Sequence, residues 1–284
     1  MQRVFNFLGS ASLIGIMMCG SVGATPLQDR IAGLSPDLHY KFDEPSGNIV
    51  NYGVLGNNFD LIEYGTPGTR VTAGPTGDGA LRITDATNYY ESATHLPSYY
   101  VGSPAFTLEI VIDISGGNSN FFASFAGLGG NGGGGLFYNG FSSGVQTEDI
   151  FAGFRNGGVN YVVGPTTGFL HLVMTNDGTT KISGTTLYIN GVEVDTSNVA
   201  NDQAVALASA PFTLNGLYGA GQRGSGWLLD EVALYPRALS FEEVTGTSDV
   251  IQDIVDGAVV PTPGLAVLTG LAVLSLCVRG RTAL

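Results

Sequence analysis

The 284-residue chain has only two cysteines, three histidines and one tryptophan, and charged residues make up just 12% of it. Both cysteines, Cys19 and Cys277, fall in apolar runs near the chain ends. The sequence between them can form no disulfide, so its stability must come from a packed core, which a chain of this length can bury. His39, His95 and His171 are far apart and flanked by strand or loop residues, so no zinc signature is present. Basic residues are scarce too. All 24 acidic residues lie between Thr25 and Val260 with only 8 of the 11 basic ones, because Arg3, Arg279 and Arg281 fall in the terminal segments, and the body carries a formal charge of −16. So acidic a body argues against nucleic acid or an anionic membrane as partner, since Lys and Arg make most contacts to phosphate. It suits solubility or cation binding. The glycine run Gly129–Gly135 lacks the Lys-Ser/Thr of a phosphate loop. Gly140-Phe141-Ser142-Ser143-Gly144 fits G-x-S-x-G, but no helical pattern follows Ser142 as a nucleophile elbow requires.

What is present begins with two sorting signals. Arg3 precedes an apolar stretch from Leu8 to Cys19, which ends in the small residues Val22-Gly23-Ala24. That is the pattern of a secretory signal peptide, residues 1–24, cut after Ala24. The run is shorter than the ~20 residues of a spanning helix, which argues against the alternative of an N-terminal anchor. Met18 stands before Cys19 where lipid-modified cysteines have Gly or Ala. At the other end, Pro261-Thr262-Pro263 leads into an apolar run from Gly264 to Val278, followed by Arg279 and Arg281. As a helix this run is roughly 22 Å long, short of a ~30 Å hydrocarbon core, and the arginines would stay cytoplasmic. The segment 261–284 resembles a PEP-CTERM sorting tail, with Thr262 where Glu is usual. That resemblance implies processing by an exosortase-type membrane protease and delivery to the cell envelope, cell surface or extracellular matrix. A simple tail anchor in the inner membrane is the alternative.

The body reads as strands. Leu38, Tyr40 and Phe42 alternate with His39, Lys41 and Asp43, and Phe106, Leu108, Ile110, Ile112 and Ile114 alternate with Thr107, Glu109, Val111, Asp113 and Ser115. Period-two alternation predicts half-buried strands, and the Gly, Pro, Asn and Ser clusters between them predict the turns of an antiparallel sandwich. Thr185–Ile189, Asn190-Gly191 and Val192–Val194 predict a hairpin, because Asn-Gly supplies the positive φ angles of a type I′ turn. One helix is expected, opened by the capping box Ser240-Phe241-Glu242-Glu243.

These elements carry a resemblance. Leu187-Tyr188-Ile189-Asn190-Gly191 resembles the hairpin of laminin-G-like, concanavalin A-like lectin-glucanase domains, and His171–Gly178 is similar to the strand and turn before it. Leu229–Tyr235 with Arg237-Ala238-Leu239-Ser240 and Glu243 is similar to the family's closing strand and short helix. Tyr40–Glu44 with Ser46-Gly47 resembles its opening strand. The resemblance implies an all-β fold, an antiparallel two-sheet jelly-roll sandwich over residues 25–248, followed by a linker at 249–260 and the short hydrophobic helix of the tail. Lectins, hydrolases, lyases and adhesion modules share this fold, so function must be argued from sites.

Glu109 and Asp113 lie at i and i+4 of one strand, opposite Ile110 and Ile112. Glycoside hydrolases of the superfamily place paired carboxylates this way, but Val111 stands where their supporting acid would be, so the pair reads as solvated or ligand-facing and the chain as no enzyme. Alternation sets Asp230 with Val232 and Leu234 on the core side, where a carboxylate needs backbone N–H donors, the leading reading, or a hard cation such as calcium, which some members of the superfamily it resembles carry. The same alternation sets Trp227 on the opposite face, under a loop or offered to a ligand with Glu109 and Asp113. The leading expectation is a non-catalytic carbohydrate-binding or adhesion module for extracellular polysaccharide or a matrix component. A structural envelope or matrix protein without a specific ligand comes next, and a glycan-processing enzyme third. The sorting signals predict a mature chain beginning near Thr25 and ending near Pro261, to be checked by intact mass from the native host. A product that keeps Arg279 and Arg281 would leave only an anchor.

Overall fold

The hairpin at Asn190-Gly191 shows how local chemistry sets the register. Asn190 and Gly191 have φ of +51° and +75°, as a type I′ turn requires, and Ile189 pairs with Val192 across it. The computed structural model describes residues 24–72, 74–83, 88–114, 122–128, 134–139, 149–154, 157–162, 169–194, 204–217, 220–221 and 227–256, all within one unit, Ala24–Pro261. Residues 1–23 of the expected signal peptide, the sorting tail and Gly140–Gly144 lie outside the described residues, as does most of the glycine run. Among the described residues no helix is long and apolar enough to cross a membrane.

In chain order the elements are α1 (Pro26–Gly33), β1 (Leu38–Tyr40), β2 (Leu61–Tyr64), β3 (Thr69–Val71), β4 (Ala80–Arg82), β5 (Tyr89–His95), β6 (Ala105–Asp113), β7 (Phe122–Leu128), β8 (Gly134–Asn139), β9 (Asp149–Phe154), β10 (Gly157–Val162), β11 (Phe169–Asp177), β12 (Thr185–Ile189), β13 (Val192–Glu193), β14 (Pro211–Leu214), β15 (Gly216–Leu217), β16 (Ala220–Gly221), β17 (Leu228–Tyr235) and α2 (Phe241–Val255). They form a jelly-roll-like sandwich of two antiparallel sheets. One sheet runs β13-β12-β11-β6-β17-β4-β3, with β1 also paired to β17; the other runs β10-β9-β8-β7-β14-β5-β2. Between the sheets Leu108, Ile110, Leu172, Met174, Val232 and Leu234 pack with Leu61, Tyr90, Phe212 and Leu214 in a single core.

The first sheet is covered on its other face as well. Val111, Val173, Ala233 and Tyr235 pack against Leu27 and Ile31 of α1 and Val244 and Ile251 of α2, a second core. Each of the Val, Leu and Ile side chains contributes on the order of 1.5–3 kcal/mol when fully buried. This corrects the half-buried reading of β6, where Thr107, Glu109 and Val111 are as buried as their neighbours. Helix α2 has the expected capping box at Ser240 and Glu243. It continues to Val255 and buries Ile251, so residues 249–255, expected as linker, belong to the fold. Helix α1 was not expected. Thr25 caps it with Gln28 in a second capping box, and Pro26 stands in its first turn, where no N–H is needed.

A valine at Gly191 would have to hold φ near +75°, and a Cβ there would meet the Ser248 Cβ at 2.9 Å. Gly191→Val is expected to destabilise the domain by about 1–3 kcal/mol. Gly33→Ala, in open space, should cost nothing. Equal shifts in a thermal melt would contradict the turn.

Candidate functional site

Strand β17 carries one residue more than the stretch of β6 beside it. Leu229 pairs with Ile112 and Glu231 with Val111, so Asp230 is left over as a bulge. The bulge resets the alternation. Leu229 and Val232 both face the inter-sheet core, while Glu231 lies on the outer face beside His39 of β1.

The extra residue lies against the turn between β3 and β4. Thr76 donates its backbone N–H to Asp230 Oδ2 at 3.0 Å. The Thr76 hydroxyl is 2.5 Å from Asp230 Oδ1 and 2.6 Å from Asp78 Oδ1. Glycine is needed in this turn, because a Cβ on Gly74 would come within 2.8 Å of Asp230 Oδ2 and one on Gly79 within 2.3 Å of the Phe42 carbonyl. Asp78 Oδ2 accepts from the Gln28 amide at 2.8 Å and from the Thr25 hydroxyl at 3.2 Å. Asp78, Asp230 and Glu231 are all buried, and one carboxylate oxygen of each lies within 4.8 Å of the others.

A hydroxyl has one hydrogen, so Thr76 cannot donate to both aspartates. One of the two short contacts requires a proton on a carboxyl group. Burial raises the Asp230 carboxyl well above the ordinary range, and the neighbouring Asp78 raises it further. Burial also raises Asp78. Glu231 is raised well above its ordinary range by burial, then by Asp78 and Asp230. Its Oε2 is 2.8 Å from His39 Nε2, and its Oε1 has no hydrogen-bond partner. Burial and Lys41 lower His39 to about 3, so the ring is neutral and this contact is no ion pair. As hard oxygen donors, with one oxygen uncommitted, the three carboxylates fit calcium. Protons meet the same need for positive charge.

The other expected site residues are not brought together. Glu109 is 1% exposed beneath the helices. His171 Nε2 lies 2.7 Å from its Oε1, and the Tyr235 hydroxyl donates to its Oε2 at 2.5 Å. It therefore faces neither solvent nor ligand, and burial with the adjacent Glu109 raises Tyr235 well above its ordinary range. Asp113 is half-buried at the strand end, paired with Leu228 and Phe169. Trp227 is 4% exposed and packs in the inter-sheet core with Leu229 and Val232. The bulge explains that correction, because alternation counted through Asp230 gives Trp227 the wrong face. Asp230 is buried and hydrogen-bonded as expected.

An aromatic pair lies elsewhere, on the outer face of the second sheet. Tyr64 of β2 pairs across from Tyr89 of β5, and their rings stack with centroids 4.9 Å apart and planes 9° from parallel. Tyr64 is 38% exposed. Ile62 and Glu91 form the next pair on this face, and His95 lies at the far end of β5, its Nδ1 3.1 Å from the Ser209 hydroxyl. Period-two reading of Tyr89-Tyr90-Glu91 sets Tyr89 outward, but its pairing with Tyr64 is non-local and is not visible in sequence.

The raised carboxyls have a definite pH signature. They bind protons more tightly in the folded than in the unfolded chain, so their contribution is fully present below about pH 4 and is lost as pH rises through the raised values. Glu243 acts oppositely and lower. Held at about 2 by Arg237, it stabilises above the ordinary carboxylate range and loses its contribution as the solution is acidified toward that value. In chelator, the contribution of these carboxyls to the melting temperature should therefore fall as pH rises above the ordinary carboxylate range. His39, held at about 3, adds stability as pH rises toward the ordinary histidine value. Asp230→Asn should make the slope of melting temperature against pH less negative. An unchanged slope in the variant would refute the assignment.

Residues 84–245, more than half of the chain, match the concanavalin A-like lectin/glucanases superfamily. No curated protein matches the sequence. Among solved structures, the fold is similar to the binding domain of Paraclostridial Mosquitocidal Protein 1, at 17% identity and a TM-score of 0.55, over 75% of this chain and 52% of that one. It is similar to domain 4 of AbnA, an extracellular arabinanase of Geobacillus stearothermophilus solved in complex with arabinotriose, at 20% identity and a TM-score of 0.52, over 75% of this chain and 98% of that one. It is similar also to the Trypanosoma rangeli sialidase in complex with sialic acid, at 17% identity and a TM-score of 0.52, over 80% of this chain and 37% of that one. The chain thus spans about half of the mosquitocidal binding domain and about a third of the sialidase, and at these identities the likeness is one of fold. With its sandwich, its closing strand and helix, and the match over residues 84–245, the chain belongs to the concanavalin A-like lectin/glucanase superfamily.

Proposed function

We propose that this chain is an exported cell-surface or matrix protein whose jelly roll is a non-catalytic carbohydrate-binding module. The observation that carries the reading is the Tyr64–Tyr89 stack on the outer face of the second sheet. A sugar ring stacks its C–H face on an aromatic ring while fixed polar groups take its hydroxyls. Tyr64 offers such a ring, and Glu91 and His95 are polar groups on the same strand pair. On the outer face of the first sheet, α1 and α2 cover Val111, Val173, Ala233 and Tyr235. Glu109 is committed to His171 and Tyr235 there, so Glu109 and Asp113 do not form an acid pair able to act on a glycosidic bond. The arabinanase domain solved with arabinotriose lends support from the fold.

Export follows the sorting signals: signal peptidase cuts after Ala24, and an exosortase-type protease removes the tail after about Pro261. The tail otherwise keeps the protein in the inner membrane. Asp78, Asp230 and Glu231 hold a structural calcium, which ties the bulge of β17 to the turn after β3 and takes no part in sugar recognition. Calcium should raise the melting temperature relative to chelator by an amount that grows with its concentration, and Asp230→Asn should abolish that rise. An equal response in the variant would place the ion elsewhere.

In affinity electrophoresis through soluble polysaccharides, Tyr64→Ala combined with Tyr89→Ala should weaken retention roughly tenfold while altering the melt little. Trp227→Ala should do the reverse, costing about 3–5 kcal/mol of stability without changing the retention of folded protein. Full retention by the double tyrosine variant would overturn the proposed surface.

A further inference from the structure

The acidic cluster has a third neighbour besides β17 and the turn after β3, namely the start of α1. Thr25 is buried, whereas Ala24 just before it is exposed. The Thr25 N–H donates to Gln28 Oε1 at 3.2 Å, and the amide nitrogen of the same Gln28 side chain donates to Asp78 Oδ2 at 2.8 Å. The Thr25 hydroxyl reaches Asp78 Oδ2 directly, at 3.2 Å. Three bonds separate the Thr25 nitrogen from its hydroxyl oxygen, so that nitrogen lies no more than about 7 Å from the Asp78 carboxylate. In the uncut chain it is a neutral amide.

Cleavage after Ala24 changes that atom. Hydrolysis of the Ala24–Thr25 bond consumes one water, leaves a carboxylate on the departing Ala24, and frees an amine on Thr25 that is mostly protonated near neutral pH. We infer that the α-ammonium of mature Thr25 is a built-in counter-charge for the buried Asp78–Asp230–Glu231 cluster, so that removal of the signal peptide stabilises the folded domain. The inference rests on the proposed cut after Ala24.

Two observations make the position telling. A positive charge at a helix N-terminus is ordinarily repelled by the helix dipole, so an ammonium at the cap of α1 needs a nearby carboxylate, and Asp78 supplies one. The cluster also has an uncommitted acceptor, since the buried Glu231 Oε1 has no hydrogen-bond partner. The charges are complementary. Asp43 also accepts from the Gln28 amide at 3.2 Å and adds to the effect of burial in raising Asp78, and Lys41 lies near Glu231, so the ammonium adds one positive charge to a junction rich in carboxyl groups. In the precursor the Thr25 nitrogen is an uncharged amide, so the exported form gains a charge contact with Asp78 that the precursor lacks.

The test compares chains that differ by one residue. N-terminal sequencing of the protein from its host establishes where the mature chain begins. The unit ending at Pro261, which contains both cores, is then made with a free amine on Thr25, with Ala24 retained, and with Thr25 acetylated. The free-Thr25 form should melt roughly 2–4 °C above the other two. Retaining Ala24 moves the charge into solvent, and acetylation removes it. The difference between the forms should vanish when each also carries Asp78→Asn, a cycle that separates a charge contact from a general effect of the chain end. A native chain beginning elsewhere than Thr25 overturns the processing proposal and this inference with it. A chain beginning at Thr25, with equal melting of the three forms or a difference that survives Asp78→Asn, overturns the inference alone.

Discussion

Asp230 is one residue too many for the strand opposite it, and much of the arrangement follows from where that residue goes. Without it, Trp227 and Leu229 would lie on the face opposite Val232 and Leu234, and the inter-sheet core would lose its largest side chain. With it, all four face the same core. Glu231, Ala233 and Tyr235 take the other face. The extra carboxylate is buried at the junction of β17 with the turn between β3 and β4. A bulge stays unpaired in the ladder, so its side chain must be satisfied by something outside the sheet. The Thr76 backbone and hydroxyl do this, and they bring Asp78 with them.

The second constraint is that the first sheet is buried on both faces. In an antiparallel sheet one face is commonly left to water, and the alternation in β6 reads that way. Here α1 and α2 lie over the outer face, and polar side chains that would have met solvent must pair with each other. Glu109 is met by His171 and Tyr235, and Glu231 by His39. Both histidines were visible as isolated residues in strand-like sequence, and their partners are carboxylates on neighbouring strands. A buried carboxylate with such partners is structural, whatever its likeness to a catalytic residue.

What could be read from sequence is what depends on neighbours along the chain. Asn190-Gly191 specifies its turn through backbone φ, and Ser240 with Glu243 specifies a helix start through two hydrogen bonds three residues apart. Leu38 and Tyr40 fall on the core side by simple alternation. The superfamily likeness rested on these same local features. Thr25-Pro26-Leu27-Gln28 has the same kind of cap, Thr followed three residues later by Gln. It went unread because it abuts the expected cleavage site and opens a helix of only eight residues. What could not be read depends on counting across strands. The bulge exists only relative to the β6 residues beside it, and the Tyr64–Tyr89 stack only through the pairing of β2 with β5. Trp227 was given the wrong face for the same reason.

The two sheets therefore carry different burdens. The outer face of the first is closed by helices, and its carboxylates are spent on holding β1, β6, β17 and the turn after β3 in place. The second sheet presents Tyr64 to solvent on the far side of the molecule's main core. A binding module profits from that separation. Under the proposed function, recognition of a polysaccharide by one exposed face needs a scaffold whose rigidity comes from elsewhere, and two hydrophobic cores and a buried acidic junction provide it without disulfides. That junction is stable only when its negative charge is matched. Burial holds these carboxyls above their ordinary range, so protons can supply the match, and under the proposed function a calcium ion together with the Thr25 ammonium would supply it instead.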